Sequence, residues 1–105
     1  MKKSILDAAR VVRSKNSGPF ELTLDVLFKE HRYFDLFRAE GVINEELICR
    51  LYNISRSDLA SIIWFEPAQA VKITMRRRVA SGAPGDSDVY GAQQHAPLLS
   101  IEFEE

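Results

Sequence analysis

Two segments of the chain alternate apolar and polar side chains, and their polar sides carry opposite charges. In residues 20–28 every second residue is apolar, and residues 70–77 alternate in the same way. An antiparallel register pairs three sets of complementary polar residues, namely Glu21 with Arg76, Thr23 with Thr74 and Asp25 with Lys72. Each such pair contributes about 0.2–1 kcal/mol, and a shift of one residue would turn polar side chains into the core. The pattern therefore predicts two paired strands with one apolar and one polar face.

Periodicity also predicts the other elements of the core. They are a helix over 29–41, a helix from Asn44, a buried strand over 59–65, a short helix over 89–97 and a last strand over 99–104. The order is strand, helices, strand, strand, helix, strand. We therefore predict an α+β domain of the ferredoxin-like β-α-β-β-α-β plan, with an antiparallel sheet and helices on one face.

The first 19 residues are predicted to form an N-terminal segment and a polar loop ahead of the core at 20–105. Apolar residues of segment 4–12 lie on one helical face, with Ser4 as a cap, although the pattern is short enough for a strand. Residues 13–19 are polar and end in Gly18-Pro19, which predicts a loop. At 105 residues the chain is expected to form a single domain.

Charge and composition exclude several classes of function. The net charge of −1 disfavours nucleic-acid binding, which needs a positive surface. The single cysteine, Cys49, excludes an internal disulfide, and no apolar run approaches the roughly 18 residues of a membrane span. The start "MKKSILDAARVVR" lacks the apolar region of a signal peptide. We therefore expect a cytoplasmic protein with no membrane or nucleic-acid partner.

Polar residues predict an anion site at one end of this sheet. The topology brings loop 13–19 close to loop 77–91, where a helix begins after Asp88. Cations and free backbone N–H groups bind carboxylates and phosphates. The predicted substrate-binding residues include Arg13, Ser14, Lys15, Asn16, Asp86, Asp88 and Gln94, and the 82–91 loop is a predicted lid. Tyr90 and His95 are the candidates for hydrogen bonding or proton transfer.

No complete catalytic set accompanies this site. His31 and His95 lie far apart in the sequence, so they are a poor metal signature, and no nucleophile elbow is present. The loop "GAPGDSDVYG" matches neither a phosphate-binding nor a dinucleotide motif. We predict no metal and no cofactor, and the residues alone do not supply a self-sufficient catalytic set.

Three unusual stretches carry a family resemblance: "RSKNSGPFELTLDVLF", "FEPAQAVKITMRR" and "SGAPGDSDVYGAQQHAPLL". They resemble a bacterial family of about 100 residues classed as a domain of unknown function. More distantly, the chain is similar to the small ferredoxin-like domain of acyclic terpene utilisation (AtuA-type) proteins. Residues 13–16, Pro67 and Gly91 stand at the three motifs of that domain, and Gly91 joins the predicted binding residues on this basis. One loop glycine is displaced to Gly18.

The resemblance implies a small accessory subunit of a two-component catabolic enzyme. Its substrate would be a small carboxylic acid or an acyl-CoA, and its chemistry would be of the hydratase or isomerase type. The partner would be an AtuA-type large subunit. The alternative hypothesis is a non-enzymatic homo-oligomer that binds an anionic metabolite for regulation.

Overall fold

The computed structural model of the protein describes residues 1–18, 20–76 and 95–105. The strands are β1 (Lys2–Ser4), β2 (Ala9–Gly18), β3 (Glu21–Phe28), β4 (Leu59–Phe65), β5 (Ala70–Arg76) and β6 (Glu102–Glu104). The helices are α1 (His31–Ala39) and α2 (Glu45–Tyr52), and short 3-10 turns lie at Ile5–Asp7, Arg56–Asp58, Glu66–Ala68 and Ala96–Ser100. The described part of the chain is therefore α+β, and all its strand pairs are antiparallel.

Four strands form the main sheet in the order β2-β3-β5-β4. The predicted pairing of β3 with β5 is confirmed, and so is its register: Glu21 lies opposite Arg76, Thr23 opposite Thr74 and Asp25 opposite Lys72. The apolar residues that alternate with these pairs are buried. The register of this central pair is thus the predicted one, but burial of β3 is not confined to one face, since Thr23 and Asp25 are only 3% and 5% exposed.

One edge strand of the main sheet differs from the prediction. The ferredoxin-like plan places the last strand of the chain beside β3, but that position is occupied by β2. The last strand, β6, pairs with β1 in a separate two-stranded ribbon. Leu99 and Ser100, predicted to begin the last strand, lie in a 3-10 turn that has proline in its first turn. Only three apolar residues alternate here, namely Leu99, Ile101 and Phe103. So short a pattern fits one strand over 99–104 as well as it fits a turn followed by a three-residue strand. The ferredoxin-like strand order is not confirmed.

Residues 13–18 form a strand, so the prediction of a loop over 13–19 is wrong for these residues. Strand β2 begins at Ala9 and pairs with β3 as far as Gly18 opposite Glu21. The predicted helix over 4–12 is reduced to the Ile5–Asp7 turn, which Ser4 caps, and the alternative of a strand is correct from Ala9 onward. An edge strand tolerates polar residues because only part of its surface meets the core.

Both helices pack on the apolar face of the main sheet. The rings of Phe34 and Phe37 in α1 contact the ring of Phe28 at the end of β3, with centroids 6.3 and 4.9 Å apart. Asn44 caps α2, as predicted, by accepting a hydrogen bond from the Leu47 N–H at 2.8 Å. The opposite face of the main sheet carries no described helix. The candidate site lies on that face, where Ile63 and Phe65 are exposed and Thr23 and Asp25 are buried.

Because the Tyr52 hydroxyl is partly buried, we expect the folding stability of the protein to fall at alkaline pH. Burial at the end of α2 raises the pKa of Tyr52 above its ordinary value of 10.0, and a hydrogen bond from the backbone of Leu98 lowers it in part. The folded state therefore holds this proton more tightly than the unfolded chain does. Its contribution to stability is complete below pH 10.0 and is lost as the pH rises further.

We expect Tyr52→Phe to lose less stability than the wild-type protein between neutral pH and pH above 10.0. Urea unfolding of both proteins across this range measures the difference, and every other titrating group cancels in the comparison. Parallel pH profiles for the two proteins would contradict the prediction.

Candidate functional site

One side of the main sheet carries a row of charged residues from three adjacent strands. Arg13 of β2 lies opposite Asp25 of β3, Asp25 lies opposite Lys72 of β5, and Lys72 lies opposite Ile63 of β4. Since side chains alternate along a strand, residues at directly paired positions project from the same face. The row therefore crosses the whole sheet on the face opposite the helices, and charge gives way to an apolar side chain at β4.

A depression of about 350 Å³ lies on this face, and we name it the open-face groove. Its lining residues are Arg13, Lys15, Asp25, Leu27, Ile63, Phe65, Ala68, Ala70 and Lys72. We call Arg13, Lys15 and Lys72 the cationic triad, and we call Leu27, Ile63, Phe65, Ala68 and Ala70 the apolar strip. The groove volume is within the range of about 300–1,000 Å³ that is typical of small-molecule sites.

The charge of the open-face groove is positive. Asp25 is only 5% exposed, and its Oδ2 accepts a hydrogen bond from Nε of Arg13 at 3.1 Å. Lys15 and Lys72 are exposed, and within the described ranges neither forms an ion pair with a carboxylate. Among the described lining residues, three cations and one carboxylate sum to a formal charge of +2. The carboxylate among them already has a partner, so the two lysines are available to an anionic ligand.

The apolar strip is accessible to solvent. Ile63 and Phe65 are 52% and 54% exposed, which is unusual for large apolar side chains on a sheet. Ala70 lies between Phe65 and Leu27 of β3, and Ala68 lines the groove from the turn that joins β4 to β5. An exposed apolar surface beside a cluster of cations is the arrangement that an amphipathic anion requires.

The four polar residues predicted to form one binding loop lie on two faces of β2. Arg13 and Lys15 line the open-face groove. Ser14 pairs with Leu24 and is buried, and Asn16 pairs with Leu22 and is half-buried, so both project toward the helix-covered face. The structure therefore does not bring all four residues to one face, because neighbouring residues of a strand point in opposite directions.

His95 lies apart from the open-face groove. It is half-buried, directly precedes the Ala96–Ser100 turn, and its carbonyl accepts a hydrogen bond from the Leu98 N–H at 3.0 Å. The other predicted site residues lie outside the described residues, namely Tyr90, Asp86, Asp88, Gly91 and Gln94. The proposed lid over 82–91 lies outside them as well.

Sequence reasoning did not include the apolar strip or Lys72 in the site. Lys72 and Asp25 were identified only as a cross-strand pair. The segment "LASIIWF" was predicted to be a buried strand, so Ile63 and Phe65 were assigned to the core. No sequence pattern singles them out, because their neighbours Ile62 and Trp64, which are half-buried on the other face of the same strand, are apolar as well.

The described residues of this groove suit binding better than catalysis. They supply positive charge, hydrogen-bond donors and apolar surface, but their single carboxylate is held by Arg13. Across residues 1–18, 20–76 and 95–105, no group of three metal-binding side chains converges. In the same ranges no helix is long and apolar enough to cross a membrane.

The protein is thus a small α+β chain whose sheet has one helix-covered face and one face with a cationic, partly apolar groove. Its sequence matches the family described as domain of unknown function DUF4387 over residues 5–102, and the chain belongs to that family. No curated protein and no solved structure matches it. The family match does not extend to AtuA-type proteins, so that resemblance stays a prediction.

Proposed function

We propose that the protein is a binding subunit of a two-component catabolic enzyme. Its open-face groove holds the carboxylate of a small acid, and a larger AtuA-type subunit supplies the chemistry. The observation that carries this proposal is the cationic triad, whose two lysines have no described acidic partner and stand beside the apolar strip. A carboxylate bound there would form charge-assisted hydrogen bonds, which are stronger than neutral ones.

The position of the groove supports a partner. A ligand on a sheet face that no described helix covers remains in contact with water, and water weakens the electrostatic interactions that catalysis uses. A second chain over this face would exclude water and bury Ile63 and Phe65. It would also supply the acid–base groups that the described groove residues lack. The same surface thus serves a ligand and a covering subunit.

The alternative is a homo-oligomeric regulatory module that binds the same metabolite. The exposure of Ile63 and Phe65 at the β4 edge of the main sheet favours an interface of some kind. Against a face-to-face dimer stands the cationic triad, because two copies would bring like charges together. An interface with a different chain avoids this repulsion.

Co-expression with an AtuA-type large subunit, followed by affinity purification and mass measurement in solution, tests the assembly. We expect a stoichiometric complex that contains both chains. Recovery of a homo-oligomer without the large subunit would overturn the two-component proposal and favour the regulatory module.

Removal of either lysine is expected to weaken carboxylate binding by about fivefold, since one charged hydrogen bond is lost at a solvent-exposed site. The measurement is titration calorimetry of hexanoate with Lys15→Ala and Lys72→Ala. The matched control is Lys29→Ala, which removes an exposed cation that does not line the groove.

All three variants should keep the melting temperature of the wild-type protein. Equal hexanoate affinity in the groove variants and the control would contradict the proposed site. Unfolding of the groove variants would show that these lysines stabilise the sheet instead of serving a ligand.

A further inference from the structure

We infer that the ligand of the open-face groove is a monocarboxylate with an aliphatic chain of medium length. The carboxylate lies at the cationic triad, and the chain runs across β5 toward β4. This inference rests on the proposed function, because it gives a chemical class and an orientation to the acid that the groove is proposed to bind.

Across the strands, the groove lining changes from charged side chains at β2 to apolar side chains at β4. Strand β2 contributes only cations, Arg13 and Lys15, whereas β4 contributes only the apolar side chains Ile63 and Phe65. Between them, β5 contributes one residue of each kind, Lys72 and Ala70. A ligand charged at both ends would place one charge on the apolar side chains of β4. The direction of polarity therefore selects a single anionic head.

Polarity also changes along the strands. One row of paired positions contains Arg13, Asp25 and Lys72, and the next row along the strands contains Leu27, Ala70 and Phe65. Charge thus decreases both across the strands and along them. The ligand axis that fits both gradients is diagonal, from the cationic triad to Phe65.

Strand spacing limits the length of the chain. From β3, whose Asp25 lies between Arg13 and Lys72, to β4 there are two strand spacings, about 10 Å in total, which matches an extended chain of about eight carbons. The small side chain of Ala70 lies in the middle of this path. Ala70 lies between Leu27 and Phe65 in its row, so it is the position where a larger side chain would block the path.

The experiment compares butyrate, hexanoate, octanoate and octanamide by titration calorimetry with the full chain. We expect about twofold to fourfold tighter binding for each added methylene up to octanoate, because each methylene that leaves water adds favourable free energy. Octanamide, which keeps the chain but lacks the charge, should bind at least about tenfold more weakly than octanoate.

Two variants locate the chain. Ala70→Leu should remove the advantage of octanoate over butyrate and leave butyrate affinity unchanged. Ile63→Ser should weaken octanoate by about threefold to tenfold through loss of an apolar wall, again without an effect on butyrate. Because Ile63 is more than half exposed, its variant keeps the test valid if Ala70→Leu fails to fold.

The outcomes separate this inference from the proposed function. Binding that requires Lys15 and Lys72 but is the same for all chain lengths would overturn the inference and leave the carboxylate site intact. Chain-length dependence that neither Ala70→Leu nor Ile63→Ser changes would also overturn it, since the chain would then lie elsewhere. If no carboxylate binds at all, the proposed function itself fails.

Discussion

Phe37→Ala is expected to lower the free energy of unfolding by about 3–5 kcal/mol, the usual cost of removing a buried aromatic ring from a core. Phe37 is fully buried in α1, and its ring lies 4.9 Å from the rings of Phe28 in β3 and Phe103 in β6. It therefore joins a helix, the main sheet and the terminal ribbon at one point. For a domain with a typical stability of about 5–15 kcal/mol, this loss is large. Urea unfolding monitored by circular dichroism measures it.

Phe20→Ala is the matched control. Phe20 is 54% exposed, so this substitution removes the same atoms from the surface instead of from the core. We expect the control to stay within about 0.5 kcal/mol of the wild-type protein. A loss below about 1 kcal/mol for Phe37→Ala would contradict the packing of the ribbon and α1 around this ring.

The central pair of strands could be predicted because its determinants are local and redundant. Polar and apolar residues alternate over six positions in both β3 and β5, from Glu21 to Val26 and from Val71 to Arg76, and three polar pairs agree on one register. A one-residue shift would violate every pair and would also expose the core side of both strands. Few registers satisfy two independent patterns, so the correct one is visible in the sequence.

The edges of the sheet could not be predicted because strand order depends on competition between distant segments. Both β2 and the residues near β6 have sequences that are compatible with pairing to β3. The polar residues of β2 also hide its strand pattern, since Ser14 and Asn16 occupy the inner positions where apolar side chains are expected. Short polar side chains fit at these positions of an edge strand and have the composition of a loop.

The same uncertainty explains why the predicted binding residues of β2 lie on two faces of the sheet. Arg13 and Lys15 were identified by their charge, which does not depend on secondary structure. Assigning Ser14 and Asn16 to the same site required a loop, and the strand turns them to the other face. The apolar strip was missed because an exposed residue such as Phe65 has the sequence signature of a core residue until the number of covered faces is known.

Asp25→Asn is expected to change stability and anion binding in opposite directions. The variant replaces a nearly buried carboxylate that accepts a hydrogen bond from Arg13 at 3.1 Å. Loss of this charged hydrogen bond should lower the free energy of unfolding by about 2 kcal/mol. The summed charge of the described lining residues rises from +2 to +3 at the same time, because the substitution removes the negative charge of Asp25. Hexanoate affinity should therefore increase by about fivefold, equivalent to about 1 kcal/mol from one removed repulsion in a solvated site.

Calorimetry at low and high salt, combined with urea unfolding, measures both effects, and Glu40→Gln is the control for loss of an exposed acid outside the groove. The gain in affinity should shrink at high salt because solvated charges are screened. Weaker hexanoate binding by Asp25→Asn would give Asp25 a different role. In that case the carboxylate would hold the Arg13 guanidinium in the orientation that a ligand needs, and its contribution to geometry would exceed its repulsion of the anion. Glu40→Gln distinguishes either result from a general change in protein charge, since it alters the net charge equally and leaves the groove unchanged.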